Sequence, residues 1–495
     1  MSKNTSDNLL AIDQGTTSTR AIIFSPAGDI LATAQKELKL SYPQKGWVEQ
    51  NPDDIWQDIL LCCRQVLSQY PSALSIGITN QRETTVIWDR LNGQAIYPAI
   101  VWQDRRTADF CDQLKTSGHE TDITRKTGLL LDPYFSATKI HWILNHVPGA
   151  RSRALAGELA FGTIDSFLLW HLTGGRTHAT DATNASRTML FNIQTQSWDQ
   201  DLLDLFDIPS SLLPEVKNNI DDFGRTDANL LGQEITIGGM AGDQQAALIG
   251  QACFSPGMIK STYGTGCFAL MNIGQNFTIS SHRLLTTLAY RFDGEVTYAL
   301  EGSIFTAGAA IQWLRDNLKI ISHAGDTDTI ARSILDNNGV YFVPAFTGLG
   351  APYWNPLARA GIVGLTRESQ SAHIIRAALE AQAYQTHDLM SAFTADTGYT
   401  PSILRVDGGL VANEFMCQFL SDMLDCPVDI PRVTETTALG AAYLAGLSAG
   451  LYTGLDDISR QWISQRQYRP QMIPEQRAVL YNGWQSAVRR INSAD

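Results

Sequence analysis

Short apolar runs separated by polar turns dominate the first eighty residues of the chain. Residues 9–12 and 21–24 are apolar and flank the segment DQGTTSTR, which predicts two strands joined by a tight hairpin. After Asn51 and Pro52, which suit the start of a helix, apolar residues recur at helical spacing as far as Leu67. Residues 74–79 then predict a buried strand, and Arg82 and Glu83 follow its carboxyl end, where α/β sheets bind ligands.

A similar pattern returns in the second half of the chain. Residues 258–262 and 267–273 predict two strands around the turn YGTG. Because 495 residues exceed the size of a single core, we interpret the recurrence as an internal duplication and predict domains at 1–252 and 253–495. Further helices are predicted near Arg105, Ser136, Thr163, Asp199 and Asp243, over residues 371–393, and over the small-residue segment 437–450.

Composition narrows the class of protein. Hydrophobic residues make up 44% of the chain, which is typical of a globular enzyme, and 37 basic against 50 acidic residues give a net charge of −13. This balance excludes nonspecific binding to nucleic acids. Seven scattered cysteines without CxxC spacing indicate a reducing compartment, and no apolar run approaches the length of a membrane span. We therefore expect a cytoplasmic protein with no nucleic-acid partner and no integral membrane association.

Three turns are candidates for binding phosphate or nucleotide. In the first, residues 13–20, backbone N–H groups and hydroxyls can face phosphate oxygens, Asp13 can hold Mg²⁺, and Arg20 can add positive charge. An ordinary polar hairpin with an Asp-capped turn is the structural alternative. The second turn is YGTG, and the third is DGGLVAN, where glycines permit close approach of a nucleotide and Asn413 can bond an adenine edge.

Known kinase motifs narrow the choice of nucleotide-binding fold. The chain has no GxxxxGK[ST] segment and no HRD or DFG set, which disfavours P-loop and protein-kinase folds. Three turns in this order instead fit the actin-like ATPase pattern, in which two related domains enclose a nucleotide.

A second group of polar residues could bind and activate a small hydroxylated substrate. Asp243 is either the N-cap of a helix or a catalytic carboxylate that accepts a hydroxyl proton. Arg82 and Glu83 are either a structural ion pair or a donor–acceptor pair for two substrate hydroxyls. Trp102 and Phe268 could form apolar walls, with a phenolic hydroxyl from Tyr134. The nine histidines show no metal-ligand spacing.

Segments that carry a family resemblance run almost from end to end. They include AIDQGTTSTRAI, GITNQRETTVIWD, AIVWQDRRT, TNASRTMLFNI, AGDQQAALIGQ, STYGTGCF, VPAFTGLGAPYW and VDGGLVANEF. Two more, YFSATKIHWILNH and GIVGLTRESQSAHIIRAALEAQ, are similar to the two signature patterns of the FGGY carbohydrate kinases. The chain resembles this family, which implies an α/β fold class with two RNase H-like (actin-like ATPase) domains and a nucleotide and substrate cleft between them.

The resemblance also implies roles for individual residues, with ATP and Mg²⁺ as cofactors and glycerol as the small-molecule substrate. It implies that the hydroxyls of glycerol contact Arg82, Glu83, Tyr134, Asp243 and Gln244, that Trp102 and Phe268 line the pocket, and that Asp243 is the general base. It implies a nucleotide site of Thr16, Thr17, Ser18, Arg20, Thr265, Gly308, Gln312, Gly409 and Asn413, with Asp13 near Mg²⁺. The implied product is sn-glycerol 3-phosphate.

Alternative functions and regulation are the last expectations. A kinase of another polyol or of a ketose, or a non-catalytic nucleotide-gated binding protein on the same scaffold, remains an alternative. We expect a homo-oligomer, dimer or tetramer. Relatives inhibited by fructose 1,6-bisphosphate carry a Gly and an Arg before AGDQQ, whereas this chain retains Gly232 but has the anion Glu234. We therefore predict weak or absent inhibition. Residues 469–473 differ from relatives that dock a sugar-transport regulatory protein, so that partner is not expected.

Overall fold

The computed structural model describes residues 7–355 and 357–492. The outermost ends of the two predicted domains, residues 1–6 and 493–495, lie outside the described residues. The strands are β1 (Leu9–Gln14), β2 (Ser18–Phe24), β3 (Ile30–Glu37), β4 (Glu49–Gln50), β5 (Ser75–Asn80), β6 (Val86–Asp89), β7 (Ala99–Ile100), β8 (Leu159–Gly162), β9 (Ala179–Asp181), β10 (Phe191–Asn192), β11 (Ser197–Trp198), β12 (Glu215–Lys217), β13 (Thr236–Gly242), β14 (Ile259–Tyr263), β15 (Cys267–Gly274), β16 (Leu285–Phe292), β17 (Glu295–Ile304), β18 (Tyr341–Val343), β19 (Gly361–Val363), β20 (Leu404–Asp407), β21 (Val428–Pro431) and β22 (Ser464–Tyr468).

Helices connect and cover these strands. They are α1 (Pro52–Gln69), α2 (Ala108–Thr116), α3 (Glu120–Thr127), α4 (Ser136–His146), α5 (Ala150–Leu155), α6 (Ile164–Leu172), α7 (Ala182–Ala185), α8 (Gln200–Leu205), α9 (Ala228–Leu231), α10 (Asp243–Gly250), α11 (Gly308–Asp316), α12 (Asp326–Arg332), α13 (Ser371–Thr397), α14 (Glu414–Leu424), α15 (Thr436–Ser448), α16 (Leu455–Gln461) and α17 (Pro474–Asn492). No helix of the described part is both long enough and apolar enough to cross a membrane.

The first half of the chain is built on a five-stranded mixed sheet in the order β13-β5-β1-β2-β3. β1 and β2 form the predicted antiparallel hairpin, which pairs Asp13 with Arg20. β5 runs parallel to β1 and to β13, so the carboxyl ends of three parallel strands meet at one edge. That edge carries Asp13, the segment after Asn80 and the segment after Gly242, which are the polar positions singled out in the sequence.

The second half repeats this arrangement within a seven-stranded sheet, β16-β17-β15-β14-β20-β21-β22. β14 and β15 form an antiparallel hairpin, β15 pairs antiparallel with β17, and β20 and β21 continue parallel from β14. β17-β15-β14-β20-β21 therefore corresponds to β3-β2-β1-β5-β13. The predicted duplication and the two RNase H-like domains are confirmed.

The helix predicted after Asn51 shows how locally the fold is encoded. Asn51 accepts a hydrogen bond from the backbone N–H of Asp53 at 3.1 Å, and Pro52 occupies the first turn. Ile55, Ile59 and Val66 are fully buried on one face and pack into the core of the first sheet. The helix predicted near Arg105 begins three residues later, at Ala108.

Two helices rich in small residues join the halves. α15 packs on β1, β5 and β13 and also against α10. A Cβ on Gly440 would lie 1.8 Å from the carbonyl oxygen of Ala246, and one on Gly77 would lie 1.9 Å from that of Ala441. Only glycine permits these approaches, which explains the small-residue segment that the sequence placed in a buried helix.

Candidate active site

A buried ionic cluster lies between the two halves and includes both Arg82 and Glu83. The guanidinium of Arg82 donates to Glu301 of β17 at 2.5 and 3.2 Å. Arg187 donates to Glu83 at 2.7 Å and to Glu301 at 2.9 Å. All four side chains are at most 2% exposed. The Arg82–Glu83 pair is thus part of a four-residue network whose fourth member comes from the other half of the chain.

Both the burial of charged groups and the backbone conformation of Glu83 cost free energy in this cluster. Burial favours a higher pKa for Glu301, but Arg187 and Arg82 outweigh it and lower the pKa to about 2. Burial raises the pKa of Glu83, against the opposing effect of Arg82 and Arg187. Glu83 also has a φ of 61°, an uncommon conformation for a residue with a side chain. Such strain persists where the surroundings fix it and is frequent at functional sites.

Asp243 stands at the accessible edge of this cluster. It is the first residue of α10, but the N-cap is Gly242, and no side chain caps the helix. The interpretation of Asp243 as an N-cap is therefore wrong, because its Oδ1 instead accepts from the adjacent backbone N–H of Gln244 at 2.7 Å. The same oxygen lies 3.1 Å from Nε of Arg82, and the side chain is 30% exposed. The Asp243 carboxylate is therefore accessible to a ligand.

Three partly exposed aromatic side chains lie beside the cluster, where the Arg187 guanidinium is 5.7 Å from the centroid of the Tyr134 ring. Trp102 contacts Tyr134 edge-on, with ring centroids 5.5 Å apart, and Phe268 of β15 at 6.2 Å. The indole N–H of Trp102 donates to the hydroxyl of Thr16 at 2.9 Å. Burial raises the pKa of the Tyr134 phenol. The structure brings the predicted wall residues Trp102 and Phe268 together with Tyr134 and links them to the first predicted phosphate turn.

The first phosphate turn is held by an ion triad that crosses between the halves. Arg20 donates to Asp13 at 2.6 Å and also to Glu435, which directly precedes α15. Burial raises the pKa of Asp13, although Arg20 opposes it, and the charges of Glu435 and Asp243 add to the rise. Thr17 is exposed at the tip of the turn, with Thr16 and Ser18 partly exposed beside it.

A cavity of about 730 Å³ opens next to this triad. Its lining includes Arg20, Glu435 and Thr262, together with Asp407, Gly408 and Gly409 at the end of β20. Gly408 has a φ of 94°, and a Cβ there would lie 2.5 Å from the carbonyl oxygen of Tyr263, so the turn requires glycine. The space around Gly409 is open.

The remaining predicted nucleotide residues lie around a neighbouring turn. The backbone N–H of Gly308 donates to the carbonyl of Gly264, and that of Ala309 to Thr265, so α11 begins directly against the YGTG turn. Gln312 is exposed on α11. Asn413 caps α14 by accepting from Met416, and its amide donates to Thr327 at 3.0 Å. Arg20 and Gly409 line the cavity, whereas Thr265, Gly308, Gln312 and Asn413 do not.

Four further residues belong to the site but were not predicted: Arg187, Glu301, Glu435 and Lys260. Lys260 of β14 is fully buried and donates to Oε1 of Gln244. Arg187, Glu301 and Glu435 each lie more than 100 positions from their partners, and none of the four lies in a recognisable spacing. Arg187 did fall within the quoted segment TNASRTMLFNI, which was the one available signal.

The fold and the site together define a class of protein. Two lobes of RNase H-like topology, a polar cleft between them and an adjoining cavity of nucleotide size are the architecture of the actin-like ATPase fold.

Comparisons with known proteins agree with this class and narrow it. Residues 8–250 match the model of the FGGY family of carbohydrate kinases, N-terminal domain, and residues 259–449 match that of the C-terminal domain. The chain belongs to the FGGY family of carbohydrate kinases. It is 62% identical over 487 residues to a protein of Nitrosomonas eutropha named glycerol kinase, with 98% of each chain covered. It is 59% identical to glycerol kinase 1 of Pseudomonas aeruginosa, covering 98% of this chain and 99% of the other.

A solved structure agrees closely over the whole chain. The crystal structure of Plasmodium falciparum glycerol kinase with ADP gives a TM-score of 0.93 at 37% identity, with 98% of both chains covered. The gluconate kinase of Lactobacillus acidophilus gives a TM-score of 0.89 at 22% identity over 99% of both chains. The second likeness concerns the fold alone.

Proposed function

We propose that the protein transfers the terminal phosphoryl group of MgATP to glycerol, forming sn-glycerol 3-phosphate and ADP. The observation that carries this proposal is Asp243, a partly exposed carboxylate that contacts Arg82 of the buried cluster and whose charge acts on Asp13, the partner of the cavity-lining Arg20. The high identity to relatives named glycerol kinase supports glycerol as the substrate.

The residues of the cluster suit the binding of a small neutral polyol. The Glu83 carboxylate can accept from a hydroxyl, and the Arg82 guanidinium can donate to one, so that together they orient two oxygens. Trp102 and Phe268 would cover the carbon chain and exclude water. Because the two guanidinium groups of the cluster are balanced by the carboxylates of Glu83 and Glu301, neither is a free cation for a substrate carboxylate, which favours glycerol over an acidic sugar.

Asp243 would act as the general base. An oriented hydroxyl beside its free edge can give up its proton as the oxygen attacks phosphorus. Phosphoryl transfer through a loose transition state needs mainly alignment, charge compensation and such an acceptor. Arg82, 3.1 Å from Asp243, holds the carboxylate in one orientation.

The residues around the cavity fit a nucleotide. Its volume suits a nucleotide, and the strained turn at Gly408 with open space at Gly409 allows a close approach of ligand to backbone. Arg20 would contact phosphate oxygens, together with the hydroxyls of Thr16, Thr17 and Ser18 and the turn at Thr265. Gly308, Gln312 and Asn413 would lie toward the base.

Asp13 fits a role near Mg²⁺. It is a buried carboxylate whose pKa is raised first by burial and then by the negative charges of Glu435 and Asp243, and a bound cation would offset these effects. The described residues contain no cluster of three or more metal-ligating side chains. Asp13 would complement Mg²⁺ that is held mainly by the phosphates of its nucleotide. Bound Mg²⁺ would neutralise charge on the transferring group.

A coupled assay for ADP release tests the proposal. We expect glycerol to stimulate ADP release at least about a hundredfold more efficiently than xylulose, ribulose, erythritol or gluconate, because a site built for three hydroxyls discriminates against other patterns. Preference for a ketose would assign the alternative substrate class. If the protein binds ATP but no acceptor stimulates the release of ADP, the result would indicate a nucleotide-gated binding protein.

Three further predictions accompany this function. We propose that the domain boundary falls near residues 252–253, between α10 and β14, that the protein is a dimer or tetramer, and that it acts in the cytoplasm. Light scattering would test the second point against the chain mass of 54.4 kDa.

A further inference from the structure

Lys260 is a buried cation in the middle of the reaction site. It lies on β14, between the substrate residues and the nucleotide cavity, and is fully inaccessible to solvent. Its Nζ donates to Oε1 of Gln244, to the hydroxyl of Thr262 at 3.0 Å and, at 3.5 Å, to the carbonyl of Phe268. All three acceptors are neutral. Among the described residues, no carboxylate lies within ion-pair distance of this ammonium group.

A buried ammonium group without a contacting anion is costly, so a purely structural role would be served better by an apolar side chain. The carboxylates of Asp407, Asp243 and Glu301 compensate the charge only from a greater distance, while Arg82 opposes it. Lys260 is buried at this cost beside two residues of the site. Thr262 lines the nucleotide cavity, and Gln244 follows the candidate base Asp243.

The contact with Lys260 decides which end of the Gln244 carboxamide is available. An ammonium group only donates, so it binds Oε1 and excludes the flipped amide, in which Nε2 would face it. Nε2 makes no hydrogen bond within the described residues. The two N–H donors of Gln244 therefore remain available beside the Asp243 carboxylate.

We propose that Lys260 is a positioning residue, which locks the Gln244 carboxamide so that its N–H group donates to a hydroxyl oxygen of the phosphoryl acceptor. This inference rests on the proposed function of the same site. Asp243 would then take the proton of a hydroxyl and Gln244 would hold an oxygen of the same molecule, so that the substrate is fixed from both sides.

A double-mutant cycle separates positioning from a general structural role. The variants are Lys260→Met, which matches the length of the side chain without the charge, Gln244→Ala, and the double variant. We expect Lys260→Met to raise KM for glycerol about tenfold, the effect of one hydrogen bond lost, while KM for ATP changes less than about twofold. In the Gln244→Ala background the same substitution should raise KM for glycerol by less than about twofold, because its target is gone. An equal rise in both backgrounds, or no rise in either, would overturn the proposal.

A second variant keeps the test decisive if Lys260→Met does not fold. Gln244→Glu retains an acceptor for Lys260 and gives it a partner of opposite charge, but it replaces the N–H donors with an oxygen. We expect a melting temperature at least equal to that of the wild type and a KM for glycerol raised about tenfold or more. An unchanged KM would contradict the assignment. Wild-type activity with glycerol tests the proposed function separately, so the two failures are distinguishable.

Discussion

Glu301 illustrates how a single residue secures the site. It is fully buried, receives hydrogen bonds from Arg82 and Arg187, and has its pKa lowered to about 2 because these cations outweigh the effect of burial. Since it belongs to the second lobe and Arg82 to the first, the geometry of the Arg82–Glu83 pair depends on both halves of the molecule.

Substituting Glu301 should therefore affect stability and substrate binding together. Glu301→Gln leaves two buried guanidinium groups with one carboxylate, and we expect the free energy of unfolding to fall by about 3 kcal/mol or more. KM for glycerol should rise because Arg82 loses its anchor. Urea unfolding and steady-state kinetics measure the two effects.

Glu234→Gln is the matched control. Glu234 pairs with Arg225 at 3.3 Å, but both side chains are more than half exposed, so the variant should change stability by less than about 0.5 kcal/mol. Equal losses of unfolding free energy in the two variants would show that the buried cluster contributes no more to stability than an exposed ion pair.

The residue-scale picture was only partly predictable from sequence. Arg82 and Glu83 are adjacent and follow a recognisable strand, so they could be singled out. Glu301 lies 219 positions from Arg82, and no local pattern connects them. Asp243 was correctly assigned to a helix start. Whether its side chain caps that helix depends on the backbone conformation of Gly242, which the sequence does not determine.

At the scale of elements, the contact between α10 and α15 fixes how the lobes meet. We expect Gly440→Ala to reduce the free energy of unfolding by about 3 kcal/mol, since its Cβ would overlap the backbone at Ala246. Gly325→Ala is the control, because Gly325 has an ordinary helical φ of −62° and open space around it. Chemical unfolding of both variants measures the difference, and equal stability would contradict the close packing.

His178 provides a pH-dependent test of a second packing contact. Its Nε2 lies 2.8 Å from the carbonyl oxygen of Phe161, and its ring packs edge-on against Trp88. Burial lowers the pKa of His178 from 6.5 to about 4. The unfolded chain therefore binds the proton first, and the stability that neutral His178 contributes at pH 7 is lost as the pH falls from 6.5 toward 4.

His178→Gln, which does not titrate, isolates this effect. Between pH 7 and pH 4, the unfolding free energy of the wild type should fall by about 3 kcal/mol more than that of His178→Gln. A difference that stays constant with pH would show that His178 is not held neutral.

Elements were more predictable than contacts between them. The strand at residues 74–79, the hairpins and the helix after Asn51 follow from local periodicity and capping, and the structure reproduces them within a residue or two. The packing of α15 on the sheet of the other lobe could not be predicted, because the small residues of this helix indicate close approach but not the partner.

At the scale of the whole molecule, regulation by a sugar bisphosphate can be tested. Gly232 ends α9 with a φ of 75°, and Glu234 beside it is tied to Arg225. A phosphate group would meet an anion here, so we predict that fructose 1,6-bisphosphate at millimolar concentration leaves glycerol-dependent ADP release essentially unchanged. Strong inhibition would contradict this expectation.

The most direct test of the account is the activity of Asp243→Asn, measured as glycerol-dependent ADP release alongside the Kd for ATP. Loss of the proton acceptor should reduce turnover about 10²- to 10⁴-fold, while ATP binding stays close to that of the wild type. Asp54→Asn, at an exposed position in the first turn of α1, should retain full activity. Wild-type turnover by Asp243→Asn would contradict the assignment of this carboxylate as the base.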